Sequence, residues 1–220
     1  MGALDGKVAI VTGAGRGLGR AHSLTMAAEG ATVIVNDLGD EAEAVVAEIE
    51  AGGGQAVANH ASVSDWEATE ALVADTVERF GDLHIVVNNA GILRDKMSFN
   101  MDESDWDAVV DVHLKGHFCV SRHAGVYWRN QAKAGATVGR RIINTSSEAG
   151  LFGSAGQANY AAAKAGIIGL TLVFAREYGR FGVTANAIAP RARTRMTEDI
   201  EFFKAPEGEE AFDRFAPENV

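Results

Sequence analysis

Basic charge is scarce in this 220-residue chain: 20 lysines and arginines stand against 30 acidic residues, a formal net charge of -10. The acidic excess is spread along the sequence, so a nucleic-acid surface has no electrostatic footprint and a phosphate-backbone partner is disfavoured. Cysteine is nearly absent. Cys119 alone excludes an internal disulfide, and among apolar neighbours in a helical stretch it reads as a small buried hydrophobe, compatible with a reducing compartment. No apolar run reaches the length of a membrane span, and the opening MGALDGKVAIVTG lacks the charged-then-apolar pattern of a secretory signal. The end, Pro217-Glu218-Asn219-Val220, carries no anchor or address. A cytoplasmic location with no membrane partner is the expectation. Internal repeats and low-complexity tracts are missing too. What remains, 47% hydrophobic and 23% charged, is the balance of a soluble globular protein able to bury a core.

Short β-branched runs alternate with longer segments of helical period. Val8 to Val11, Thr32 to Asn36, Gln55 to Asn59, His84 to Asn88, Arg141 to Asn144 and Val183 to Ala187 read as strands. Such alternation requires right-handed parallel crossovers with helices on both faces. It predicts an α/β fold, a doubly wound parallel sheet of Rossmann type in a single domain. Residues 1–190 would form the dinucleotide-binding and catalytic core and 191–220 a substrate lid region, where EDIEFFKAPEGEEAFDRF suggests a lid helix.

The first strand ends in Thr12-Gly13-Ala14-Gly15-Arg16-Gly17-Leu18-Gly19 and opens straight into a helix. Glycines at a strand-to-helix turn let backbone amides approach a pyrophosphate, whose charge the helix N-terminus favours. The spacing is TGxxxGxG and not GxGxxG, because Leu18 and Arg20 stand where a third small residue would be needed. About 20 residues on, Asp37 ends the second strand, where a carboxylate accepts hydrogen bonds from ribose hydroxyls and repels a 2′-phosphate. Arg16 points the other way, since a guanidinium in the cradle suits such a phosphate. Leu38 follows Asp37 where a basic residue would have argued for NADP, so the expected cofactor is NAD rather than NADP.

Tyr160 and Lys164, four apart, share one face of a helix running from Gln157 to Arg176, a spacing that neither Tyr127 nor Tyr178 has. A phenol ionises near pH 10, too high for base work at neutrality, and an adjacent ammonium lowers that value. Upstream, the fifth strand ends in Asn144-Thr145-Ser146-Ser147, and strand ends in a parallel sheet gather catalytic groups. One of these hydroxyls is expected to face a substrate oxygen; the other use of Ser-Ser before Glu148 is a helix cap.

With TGAGRGLG, Asn88-Asn89-Ala90-Gly91, the serine pair and YAAAK in this order, the chain resembles the short-chain dehydrogenase/reductase family over nearly its whole length. The resemblance implies that Ser147, thirteen residues before Tyr160, is the catalytic serine, and that Lys164 also holds the nicotinamide ribose. By the same likeness Asn89, Ala90 and Gly91 lie beside the cofactor and Ser62 and Val63 border the adenine. Pro190 would shape the nicotinamide pocket, and Thr194 would hold its carboxamide. Where the family usually reads DVNLKG this sequence reads Asp111-Val112-His113-Leu114-Lys115-Gly116, so His113 replaces the usual catalytic asparagine, with an imidazole that can titrate near neutrality. A satisfied helix histidine is the plainer identity. His113 and His117 also have the spacing of a metal pair, but neither HExxH nor a third ligand accompanies them and no metal is expected.

Histidine at this place, with NNAGILRDK, GQANYAAAK and APRARTRMT, is similar to the (3R)-hydroxyacyl-CoA dehydrogenase part of multifunctional β-oxidation enzymes. That likeness implies NAD-dependent oxidation of a 3-hydroxyacyl-CoA, with Tyr160, Lys164, Ser147 and His113 as the catalytic set and an acyl-CoA as partner. Arg191, Arg193 and Arg195 are candidates for the CoA phosphates. A hydroxysteroid or other hydrophobic alcohol is the alternative substrate, and a nucleotide-binding module without turnover the alternative class. The resemblance further implies a homodimer or homotetramer packed through the helices that hold Trp106 and Tyr160. Relatives continue through another helix and a seventh strand, so the C-terminal end of the fold is expected to be missing or disordered.

Overall fold

Six strands form one parallel sheet in the order β3-β2-β1-β4-β5-β6. They span Val8–Thr12 (β1), Thr32–Asn36 (β2), Gln55–Asn59 (β3), Ile85–Asn88 (β4), Arg140–Thr145 (β5) and Val183–Ile188 (β6) in a computed structural model that describes residues 2–194, 197, 204 and 212–220. The doubly wound, single-domain expectation holds, and strand limits move by one residue where end residues still find partners, as Thr12 does opposite Asn36 and Thr145 opposite Ile188. Strand order reverses between β1 and β4, so their carboxyl ends open a crevice, the place where such sheets bind ligands.

Alternation along the strands feeds two cores. Ile10, Ile34, Val86 and Ile142 face one helical layer with Leu72, Trp128 and Phe174, while Ala9, Val11, Val33, Val35 and Val87 face the other with Val45 and Ile49. The crossovers are α1 (Gly17–Ala28), α2 (Glu41–Ala51), α3 (Trp66–Phe80), α4 (Glu103–Val110), α5 (Gly116–Lys133), α6 (Glu148–Phe152) and α7 (Ala158–Tyr178). Cys119 is buried, as expected of a small apolar side chain.

Two features depart from the sequence reading. A π-helical turn, Asp111–Lys115, joins α4 to α5 and carries His113 on its buried side; such widened turns occur often at functional sites. Ala158–Phe181, with a mean hydropathy of 1.3, is also long and apolar enough to cross a membrane by length and composition, contrary to the expectation that no run is. Its inner face buries Asn159, Ala163, Lys164, Ile167, Thr171 and Phe174 and packs on β6 and β5, while its outer face is open. The lid helix expected at 198–215 falls mostly outside the described residues. Residues 212–220 return to α1, where Arg193 N–H donates to the Phe215 carbonyl and Pro217–Asn219 makes a short 3-10 turn.

Candidate active site

The turn after β1 is built to present backbone. Gly13 has φ +61°, a conformation side chains resist, and a Cβ on Gly19 would stand 2.1 Å from the Gly13 carbonyl oxygen. Asn89, at the end of β4, clamps this turn by donating from Nδ2 to the carbonyls of Thr12 and Gly13, both at 3.1 Å. Thr12 Oγ1 in return accepts from the amides of Asn89 and Ala90 at 3.0 and 3.1 Å. Gly17 and Leu18 begin α1, so the first-turn amides of that helix follow directly on the turn. A cradle that a Cβ would fill, facing a helix N-terminus, fits a dinucleotide pyrophosphate.

Asp37 stands beyond the end of β2 and accepts from the Gly15 amide at 2.9 Å and the Gly39 amide at 3.3 Å. Arg16, the residue that argued for a second phosphate, is ion-paired with Glu41 at the start of α2. Val63 is buried against Gly116 with Ser62 beside it, its hydroxyl 3.1 Å from that of Ser64. Across the mouth, Pro190 follows β6, and Thr194 Cγ2 would lie 3.2 Å from a Cβ on Gly17.

The acid–base group lies at the ends of β5 and α7. Tyr160 is hydrogen-bonded to Ser147, whose Oγ also accepts from the Ala149 amide at 3.2 Å, so one hydroxyl serves both as helix cap and as phenol partner. Ser146 turns the opposite way and donates to the Lys164 carbonyl at 2.9 Å. Lys164 is buried; its Nζ donates to the Thr145 carbonyl at 2.6 Å and sits 5.5 Å from the Tyr160 ring centroid. Burial pushes this lysine down to about 7. The phenol is not held below its ordinary value, as the ammonium was expected to hold it: burial raises Tyr160, the Ser147 bond offsets part of that, and Asp95 adds to the rise. A lysine turned toward a carbonyl and itself desolvated does little for the phenolate.

His113 meets the Tyr160 ring edge to face, with centroids 5.1 Å apart. Its Nε2 lies 2.8 Å from the Ile92 carbonyl, and a Cβ on Gly91 would stand 2.3 Å from its Cε1, so glycine there makes room for the imidazole. Titration near neutrality does not follow: burial first, then the Lys164 charge, pushes His113 down to about 3, and it is neutral at physiological pH. Among the described residues no group of three or more histidines, cysteines or acids gathers as metal ligands.

Residues 7–203 match the family model described as short chain dehydrogenase. The chain belongs to that family. A hydroxyacyl-CoA dehydrogenase (ChsB1) of Mycobacterium tuberculosis is 54% identical over 99% of this chain and 71% of its own length. Peroxisomal multifunctional enzyme type 2 of Mus musculus is 47% identical over 89% of this chain, which spans only 27% of that protein. A crystal structure of a short chain dehydrogenase from Mycobacterium avium superposes with a TM-score of 0.86 at 58% identity, covering 89% of this chain and 73% of that one. As a short-chain dehydrogenase the protein is an oxidoreductase of secondary alcohols that works through a nicotinamide cofactor.

Several parts of this dehydrogenase's site had no sequence signal. Asn159 donates to the carbonyls of Arg94 and Asp105 at 3.2 and 3.0 Å and accepts from the Tyr160 amide at 2.7 Å, fastening the first turn of α7. Asn88 donates to Ser121 and Asn144, and Asn144 to Thr171, a buried polar chain that ties β4 and β5 to the helices over them. The arginines proposed for CoA phosphates are engaged within the chain: Arg191 binds Glu148 and Arg193 binds Asp213. Arg195 lies outside the described residues. Two clefts of about 310 Å³ occur elsewhere, between α3 and the β3 edge and between α1 and the chain's last residues. Neither includes Ser147, Tyr160 or Lys164 in its lining, so chemistry rather than concavity locates the site.

Proposed function

We propose that the enzyme oxidises a 3-hydroxyacyl-CoA to the 3-ketoacyl-CoA with NAD. The observation that carries this reading is the convergence of Ser147, Tyr160, Lys164 and His113 on one side of the crevice, in a chain 54% identical to a protein named as a hydroxyacyl-CoA dehydrogenase. The choice of NAD rests on Asp37 at the ribose position and on Arg16 being drawn away by Glu41. A 2′-phosphate would enter a corner holding two carboxylates, one of which already occupies the guanidinium.

The Gly13 to Gly19 amides would hold the pyrophosphate, Asp37 the adenosine ribose, and Ser62 and Val63 the adenine edge. Asn89 to Gly91, Lys164, Pro190 and Thr194 would surround the nicotinamide half. When bound, the dinucleotide supplies the hydride acceptor. Ser147 donates to the substrate oxygen and orients it, as a fixed hydroxyl at a strand end does without reorganising. Tyr160 takes the hydroxyl proton in oxidation and returns one in reduction. Lys164, poised near neutrality, exchanges that proton across a neutral pH range. His113 stays uncharged and holds the loop after β4 through Ile92, which keeps the Tyr160 edge in place.

The outward faces of the helices flanking the site expose Trp106, Phe118, Leu172 and Val173, at 42, 37, 57 and 45%. That apolar surface supports a homo-oligomer packed through α4, α5 and α7, for which sedimentation would return a dimer or tetramer mass.

The decisive assay measures NADH formation from a 3-hydroxyacyl-CoA, a hydroxysteroid and a truncated pantetheine thioester, with NADP in parallel. Efficient turnover of the CoA ester with NAD is expected. Preference for the steroid alcohol would replace the acyl-CoA assignment, and dinucleotide binding without turnover of any alcohol would overturn the reading.

A further inference from the structure

The segment after the β4 loop is stitched to the front of the catalytic helix. Lys96 N–H donates to the Gly156 carbonyl at 2.9 Å, Lys96 and Gln157 form a parallel bridge, and Asn159 reaches back to the Arg94 carbonyl. Within this seam the Gln157 side chain donates from Nε2 to Asp95 Oδ2 at 2.8 Å. Gln157 precedes Tyr160 by three residues, one helical turn, so the carboxylate it grips is held at the end of α7 that carries the phenol. Lys96, the adjacent cation, points to Asp102 and Asp105 at 2.9 and 2.7 Å. Among the described residues no ion pair neutralises Asp95.

We propose that Asp95 is a positioning residue whose carboxylate, fixed by Gln157, biases Tyr160 toward its protonated, proton-donating form and so sets the pH at which alcohol oxidation becomes efficient. This rests on Tyr160 being the acid–base group. The other groups facing that phenol are Ser147 from the β5–α6 corner, uncharged His113 from the π-helical turn, and Lys164 from α7, whose head group is on the Thr145 carbonyl. Glu148, beside Ser147, is paired with Arg191. Asp95, flanked in sequence by Arg94 and Lys96 but ion-paired with neither, therefore acts on Tyr160 as a charge with no ion pair among the described residues, and its effect adds to that of burial. Being exposed to water, it acts through a screened interaction that salt weakens.

Asp95→Asn keeps an oxygen for Gln157 and removes only the charge. The acidic limb of kcat/KM for oxidation should move to lower pH by roughly half a unit at low ionic strength and return toward the parent profile in high salt, with KM for the dinucleotide unchanged. Gln157→Leu, which keeps the charge but releases it, should give a smaller shift in the same direction. A parallel readout needs no substrate: the ζ-carbon NMR signal of Tyr160, assigned by its loss in Tyr160→Phe, should titrate lower in Asp95→Asn. Superimposable profiles and titrations in both variants would overturn the proposal, as would a shift insensitive to salt. A moved NMR titration with no turnover of 3-hydroxyacyl-CoA would instead sink the substrate assignment and leave the role of Asp95 standing.

Discussion

The two halves of the crevice treat charge in opposite ways. On the β1–β2 side the charged groups, Asp37, Arg16 and Glu41, are at least partly open to water, and the turn between them and β1 presents backbone through glycines. On the β5–α7 side the ionisable groups packed behind the phenol are buried: Lys164, His113 and His117 are 2, 1 and 2% exposed, and among the described residues His113 Nδ1, His117 Nε2 and Thr145 Oγ1 have no hydrogen-bond partner. The β1–β2 half depends on shape, since a Cβ on Gly13 or Gly19 would meet backbone atoms at 2.7 and 2.1 Å. The catalytic half depends on desolvation, which detunes pKa values at a cost in stability.

That contrast can be broken by substitution. The largest effect is expected from Tyr160→Phe, which should lower kcat by about a thousandfold while leaving dinucleotide affinity, measured by fluorescence titration, within about twofold. Loss of binding instead would mean that the two halves are not separable. Gly19→Ala is the converse: its Cβ would meet the Gly13 carbonyl at 2.1 Å, so dinucleotide affinity should fall by about a hundredfold or more with Tyr160 intact. Asp37→Ala removes a charged hydrogen-bond acceptor worth roughly 1.5–3 kcal/mol, which predicts about a 10–100-fold loss of kcat/KM with NAD and a narrowed preference over NADP.

The smallest expected change, a shift in stability, tests the desolvation argument most directly. Burial pushes Lys164 down to about 7 in the folded protein, from an ordinary lysine value of 10.5. Between those values the unfolded chain binds the extra proton, so this lysine makes stability rise with pH from about 7 to 10.5, and its burial penalty is greatest on the acid side, below 7. Lys164→Met should abolish that slope and raise Tm by a few degrees at pH 6 while removing most activity. A lower Tm at pH 6 would show that the Thr145 carbonyl bond outweighs the cost of burying the ammonium.

Local patterns carried the sheet because most strands are short runs rich in β-branched residues and bounded by polar ones, so that their identity does not depend on their neighbours. The cradle was legible for a similar reason: glycine spacing at a strand-to-helix turn constrains backbone conformation directly. The Tyr160–Lys164 spacing gave their shared helix face. Where the lysine head group points is another matter, because Thr145 competes for it from a strand nineteen residues away in sequence. His113 shows the same limit. Its position in DVHLKG was plain, but its neutrality comes from a π-helical turn, Gly91 and Lys164 closing around it. Arg191 and Arg193 read as free cations until Glu148 and Asp213 were brought to them.

By itself the sequence determined the succession of strands and helices along the chain, the place of the glycine-rich turn after the first strand and the shared helix face of Tyr160 and Lys164, since these depend on periodicity and on neighbours a few positions apart. Only the tertiary structure decided their protonation, which hydroxyl meets the phenol, and which charges remain unneutralised. Those properties follow from water exclusion and from side chains brought together across long sequence distances, and neither quantity is written in local pattern.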